Sequence, residues 1–224
     1  MDILFHRALI AKDGNSISAG NEGPSLGKVV NHAPWILTVT ASGINRQYRS
    51  QVMLGNGKIV SEIGINTFSP KQKLYPLISG ADAGFDSSGY LPREYRMCME
   101  GTMDPEKVKG KIVLCETTPM GDDPADSVIP KAGGVGTLIL DNSGRDDFAD
   151  IFMSSATKID NSTAKVISSY LNSTRSPYAV IYKTKEVKVS APFVASFSSR
   201  GPNKGSRHLL KPDITAPGVD ILAA

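Results

Sequence analysis

The chain has 224 residues, of which 40% are hydrophobic and 21% charged, with a formal charge of +3; that balance suits one large or two modest globular domains and excludes global disorder. Its basic residues are scattered, with no stripe interleaved with aromatics, which argues against nucleic acid as a partner. No apolar run reaches the roughly 18 residues that a membrane span requires, and Asp2, His6 and Arg7 interrupt what would have to be the apolar core of a signal peptide, so secretion would need a targeting segment upstream of Met1.

In chain order, residues 3–11 place Ile3, Leu4, Phe5, Ala8, Leu9 and Ala11 on one helical face, which breaks at Asp13-Gly14-Asn15. A short strand is expected at residues 17–19 and a buried one at 33–41, bounded by Pro34 and Gly43. Two buried strands separated by a loop suggest part of an α/β sheet. Gly55-Asn56-Gly57 between two apolar runs is a strong hairpin signal. Strands follow at 111–115 and 137–140, with a helix between them near 125–132 in spite of Pro124 and Pro130. Val166, Ile167, Tyr170 and Leu171 share one face of a helix over 162–173, capped by Asp160 or Ser162. Residues 178–182 read as a strand, and Lys183, Lys185, Glu186 and Lys188 as a wet sheet edge that discourages aggregation. A last strand is expected at 219–224; because it would stop inside an element, the C-terminus reads as a truncation.

Few side chains carry obvious chemistry. Cys98 and Cys115 are either buried free thiols or a disulfide. The disulfide reading is favoured by two glycosylation-type sequons at Asn161 and Asn172, which would be used in the same oxidising compartment. His6, His32 and His208 are isolated, and no metal or cofactor site is expected. The groups Asp122-Asp123-Asp126 and Asp146-Asp147-Asp150 lack the spacing of a calcium loop and read as solvated carboxylates. Gly133-Gly134-Val135-Gly136 is followed by no Lys-Ser or Lys-Thr and reads as a turn.

Acyl transfer at a serine needs a nucleophile, a base, a group that orients the base, and donors aimed at the oxygen that becomes negative. Only the donor has a visible candidate. In Ser18-Ala19-Gly20-Asn21-Glu22-Gly23-Pro24 the glycines let backbone pass close to a substrate while the Asn21 amide can donate to an oxyanion.

Together with Ala33-Pro34-Trp35-Ile36-Leu37-Thr38-Val39, Val108-Lys109-Gly110-Lys111-Ile112-Val113-Leu114-Cys115, Phe197-Ser198-Ser199-Arg200-Gly201-Pro202-Asn203 and Leu210-Lys211-Pro212-Asp213-Ile214-Thr215-Ala216-Pro217-Gly218, this segment resembles plant subtilisin-like serine proteases of the cucumisin-like type. The resemblance implies an α/β fold: a partial subtilisin-like parallel-sheet domain, interrupted by a β-rich protease-associated (PA) domain. The expected bounds are 1–65 and 183–224 for the two catalytic segments and 66–182 for the insert. It implies Asn21 as the oxyanion-hole asparagine; Ser18, Ala19, Gly20 and Glu22 as the wall of the substrate pocket; Cys98 and Cys115 as the family's disulfide; protein or peptide substrates; and an extracellular, apoplast-like location. The family's Asp-Thr-Gly, His-Gly-Thr-His and Gly-Thr-Ser-Met segments do not occur in the chain, and Ser198 and Ser199 read as turn formers and surface groups. The expectation is therefore the central part of a serine endopeptidase, inactive alone. The alternative is a non-catalytic module whose PA domain binds protein segments or a second copy of the chain.

Overall fold

The structure is a computed structural model that describes residues 15–86, 89–142, 147–206 and 208–221; the helix expected at 3–11 lies outside them. Its elements, in order, are β1 (Ser16–Ser18), β2 (Leu37–Ser42), β3 (Arg46–Leu54), β4 (Ile59–Ile63), β5 (Tyr75–Ser79), α1 (Gly80–Ala83), α2 (Pro92–Arg96), α3 (Pro105–Val108), β6 (Ile112–Glu116), α4 (Ala125–Lys131), β7 (Gly136–Leu140), β8 (Ala156–Ile159), α5 (Asn161–Ser173), β9 (Tyr178–Ile181), β10 (Lys185–Lys188) and β11 (Ile214–Pro217). They form two compact units. One combines the described residues up to Arg46 with those from Lys188 onward, and the other is Gln47–Val187.

In the first unit β1, β2 and β11 make a parallel sheet in the order β1-β2-β11. Ile17 pairs with Thr38, and Thr215 with Thr40. Of the strand expected at 219–224, residues 219–221 join no ladder and 222–224 lie outside the described residues; the last strand among the described residues is Ile214–Pro217. Its ladder is anchored where Asp213 N–H donates to Thr38 O and closed where Gly218 N–H donates to Ser42 O, and Pro217, which has no N–H to give, sits at the end of a strand with one neighbour among the described residues.

The second unit is a mixed sheet in the order β10-β3-β9-β5-β6-β7-β8, with β4 on β3. Strands β5 to β8 run parallel, while β3, β4 and β9 pair antiparallel. The Gly55-Asn56-Gly57 turn joins β3 to β4 as expected: Gly57 has φ +84°, a region open to glycine at little cost, and the Asn56 side chain accepts from Lys58 N–H.

The continuous apolar runs of β6 and β7 follow from burial on both faces. Alternate residues enter different cores: Ile112 and Leu138 pack with Ile167 and Tyr170 of α5, whereas Val113 and Cys115 pack with Val128 and Ile129 of α4. Helix α5 starts at its Asp160 cap, whose carboxylate accepts from Thr163 N–H. Helix α4 forms with Pro124 as its N-cap and Pro130 inside it. The Gly133-Gly134 segment carries the chain from α4 into β7, with Gly133 at φ +83°.

The division at 46/47 and 187/188 differs from the expected 65/66 and 182/183. Residues of β3 and β4 pair with each other and β3 pairs with β9, so the hairpin belongs to the second unit. That unit also carries helices on its parallel strands, a layered α/β arrangement beyond the β-rich pattern read from the sequence.

Candidate functional site

Residues 18–24 leave the carboxyl end of β1 in the parallel sheet, the side on which open α/β sheets present ligand-binding loops. Ala19 is fully buried; its N–H donates to Val39 O, and its carbonyl accepts from Val30 N–H. Ser18 is exposed, and its Oγ accepts from Gly20 N–H at 3.1 Å while its carbonyl accepts from Asn31 Nδ2 at 2.8 Å. Gly20 holds φ +100°, and a Cβ there would stand 2.8 Å from Ser199 Oγ. Gly23 is equally constrained, since a Cβ would fall 2.2 Å from Ser196 O.

The loop is held by a segment 177 residues away. Ser199 Oγ accepts from Glu22 N–H at 3.0 Å, Ser199 N–H donates to Gly20 O, Gly23 N–H donates to Phe197 O, and Arg200 O accepts from Lys28 and Val29. Asn21 sits at the centre of this clamp. It is exposed, and its side chain makes no hydrogen bond among the described residues. Its neighbour Glu22 pairs with Lys28 at 2.8 Å, and the hydrogen bond from that ammonium holds the Glu22 carboxyl below its usual range.

Two expectations change here. Ser198 and Ser199 are not surface groups: they are 2% and 1% exposed, Ser198 Oγ accepts from Ala41 N–H and donates to Ala41 O, and Ser199 orders the loop around Asn21. Ala19 presents no side chain to the exterior, so of the expected pocket wall only Ser18, Gly20 and Glu22 reach the surface. A further fastening escaped the sequence reading. Buried Lys211 donates to Ile36 O and to Asp213 Oδ2, each at 2.6 Å, and the same carboxylate oxygen accepts from Thr38 N–H. The hydrogen bond from Lys211, followed by that from Thr38, lowers the Asp213 carboxyl. The Lys211–Ile36 and Thr38–Asp213 contacts each join residues 175 apart, which local pattern in the sequence does not reveal.

In the second unit Cys98 and Cys115 form a disulfide with Cα atoms 5.7 Å apart, both side chains wholly buried. Asn161 and Asn172 lie exposed at the two ends of α5. The acidic residues are not simply solvated. Asp123, Asp141 and Asp150 converge on Lys158 Nζ at 3.1, 3.8 and 2.7 Å, and Asp126 accepts from Met153 N–H and from the N–H and Oγ of Ser154. Burial penalises the Lys158 charge, but the hydrogen bond to Asp150 and the charge of Asp123 outweigh it and raise the ammonium. Burial pushes the Asp123 carboxyl up despite Lys158. An ammonium therefore occupies the centre of this carboxylate group, and no set of three or more His, Cys, Asp or Glu side chains fit to hold a metal occurs among the described residues.

No family model matches the chain. Curated relatives do: it is 54% identical over 208 residues to Subtilisin-like protease SBT4.14 of Arabidopsis thaliana, 42% over 213 residues to Subtilisin-like protease SBT4.15, and 45% over 213 residues to the CO(2)-response secreted protease of the same plant. Each alignment takes in 92% of this chain. The chain belongs to the subtilisin-like protease family. It spans 27% of the length of these relatives, so it corresponds to one stretch of a subtilisin-like protease. Among solved structures, an aminopeptidase from Aneurinibacillus sp. strain AM-1 aligns with a TM-score of 0.36 at 13% identity, over 66% of this chain and 35% of that one.

Proposed function

We propose that the chain supplies the oxyanion-stabilising part of a subtilisin-like serine endopeptidase, which hydrolyses peptide bonds with a Ser/His/Asp triad, and that Asn21 is its oxyanion donor. The observation that carries this reading is the clamped loop: Gly20 and Glu22 are fixed by Ser199 while the Asn21 amide between them is left exposed and unbonded. A donor held in place before charge develops needs no reorganisation when the tetrahedral intermediate forms. Ser18, Gly20 and Glu22 flank the substrate, and the substrates are proteins or peptides. Since the triad segments of the family are missing from the sequence, the chain alone does not hydrolyse peptides. The Gln47–Val187 unit is the inserted PA domain, the setting is extracellular, and Asn161 and Asn172 are glycan acceptors.

The test compares this chain with a version extended through the triad segments on a peptide substrate. Only the extended form is expected to turn over. In it Asn21→Ala lowers kcat by roughly 10²–10³ with KM little changed, a magnitude carried over from the equivalent loss in subtilisin itself. An unchanged kcat removes Asn21 from the mechanism, and hydrolysis by the short chain that survives inactivation controls overturns the first statement.

A second reading has its own support. All the apolar core clusters among the described residues lie within Gln47–Val187, which suits a self-contained module that binds proteins or a second copy of the chain. Light scattering that returns a monomer at all concentrations removes the homodimer.

A further inference from the structure

The second unit contains a cavity of about 380 Å³ that the protease reading does not use. It is lined by Arg49 of β3, Glu62 of β4, Lys158 of β8, Thr163 of α5, and Asp141 and Phe148 from the segment after β7. Its volume lies at the lower end of the range for small-ligand pockets, roughly 300–1,000 Å³.

Glu62 is the anomaly in this cavity. Side chains alternate along a strand, so Glu62 shares a face with Val60, and Val60 packs against the core that includes Ile167 and Tyr170. The pattern calls for an apolar residue at such a position, and a carboxylate there loses hydration that must be compensated. The compensation inside the protein is a hydrogen bond from Thr163 Oγ1, with smaller contributions from the Asp160 backbone N–H and from the charge of Arg49. No cation lies within ion-pair distance of Glu62 among the described residues.

Two basic groups face the cavity, and neither forms an ion pair with Glu62; the charge of Arg49 reaches Glu62 only weakly, behind burial, Thr163 and Asp160. The Arg49 guanidinium donates to Gln47 Oε1 through Nε and Nη2 and to Ser61 O through Nη1, and Lys158 is surrounded by Asp123, Asp141 and Asp150. On the other side of Glu62 stands another negative group, Asp160 at the cap of α5, whose oxygens are taken up by Thr163 N–H and Ser162 Oγ. Burial, and after it the charge of Asp160, raise the Glu62 carboxyl against the pull of the Thr163 hydroxyl, the Asp160 backbone N–H and the Arg49 charge. The cavity thus holds a half-buried carboxylate with no cation in ion-pair contact, next to apolar walls at Val60, Ile63 and Phe148.

We propose that this cavity binds an alkylammonium or guanidinium group, with Glu62 as its counter-charge, and that the group comes from a lysine or arginine side chain of a peptide. The methylene stem of such a side chain lies along apolar surface while its head meets the carboxylate, and a charge-assisted hydrogen bond to Glu62 replaces the hydration lost on folding. The inference goes beyond the protease reading and is tested without hydrolysis, so its failure leaves that reading where it stands.

The experiment is calorimetric titration of the full 224-residue chain at pH 7 with capped Gly-Lys-Gly, Gly-Arg-Gly, Gly-norleucine-Gly and Gly-Glu-Gly, and with putrescine as a free diamine. The lysine and arginine peptides are expected to bind at least tenfold more tightly than the norleucine and glutamate peptides. Glu62→Gln, which keeps an acceptor for Thr163, is expected to weaken the lysine peptide at least tenfold while circular dichroism and the melting curve stay those of a folded chain. Equal binding of lysine and norleucine peptides, no binding of any peptide at millimolar concentration, binding of putrescine alone, or an unchanged affinity in folded Glu62→Gln overturns the proposal. A readout on the unaltered protein covers a variant that does not fold. With Arg49 from β3, Asp160 from α5, and Asp141 and Lys158 across the cavity facing the same space, protonating Glu62 removes the counter-charge, so affinity for the lysine peptide falls as pH drops from 7 towards 4. A flat profile over that interval overturns the proposal equally.

Discussion

The two units are held together by different physics. In Gln47–Val187, apolar side chains interleave on both faces of a sheet: Leu77, Ile112 and Leu138 meet α5, and Val113 and Cys115 meet α4. In the other unit the buried residues are rich in polar groups, among them Thr38, Ser42, Ser198, Ser199, Asn203 and Lys211, and the chain is laced by hydroxyl and backbone hydrogen bonds between distant segments. Apolar packing tolerates variation of similar volume, whereas a hydrogen-bond lacing demands particular groups at particular places. The difference teaches where precision is kept. The loop that carries Asn21 is positioned by specific donors and acceptors on the 197–200 segment, and the Gln47–Val187 unit needs mainly to stay filled.

That contrast can be broken or sharpened by substitution. Leu138 is wholly buried between β6 and β8, so Leu138→Ala should cost about 2–5 kcal/mol and be read as faster amide hydrogen exchange throughout β6, β7 and α5; protection left intact there would show that apolar burial does not govern that unit. The disulfide comes next. It closes a loop with a sequence separation of 17, and in the entropic account replacing both cysteines by serine should lower the stability of that unit by about 3 kcal/mol, measured as a fall in its melting temperature that reductant reproduces in the unaltered chain.

A smaller effect is expected on the polar side. Ser199→Ala leaves the Glu22 N–H without its acceptor and should cost about 1–3 kcal/mol, with chemical-shift changes concentrated at residues 19–24. If these shifts stay put, the clamp is not what holds the loop. The smallest is Asp160→Ala, which removes the cap of α5 at a cost of about 1 kcal/mol. The hydrogen bond from Thr163 N–H lowers the Asp160 carboxyl, so its stabilisation is complete above the ordinary aspartate range and disappears as pH falls through the lowered value. Melting curves of the variant and the parent should therefore converge in acid and separate at neutral pH.

The inserted unit was the more legible of the two in the sequence. The continuous apolar runs at Ile112–Glu116 and Gly136–Leu140, the turn at Gly55-Asn56-Gly57 and the apolar stripe of α5 are local signals, each contained within a few residues to a few turns of chain. The strand at Ile214–Pro217 was passed over because the apolar text that follows it looks as much like a strand; the Asp213 anchor on β2 is what selects it. Ser198 and Ser199 were legible as members of a family segment and illegible as a clamp, since the groups they bind lie at Ala41 and Glu22. Glu62 gave no signal, being one charged residue in a strand with mixed exposure.

By itself the sequence determined the kinship, the main strands and helices, and the candidate loop at Asn21, because those depend on local pattern and on words shared with relatives. The tertiary structure decided which residue holds which: that Ser199 fixes the loop, that Lys158 fills the centre of three carboxylates, that β3 and β4 belong with the Gln47–Val187 unit, and that Glu62 faces a cavity with no cation in ion-pair contact among the described residues. Each of these rests on contacts between residues far apart in the chain, and pairing at that distance leaves no periodic trace in the order of amino acids.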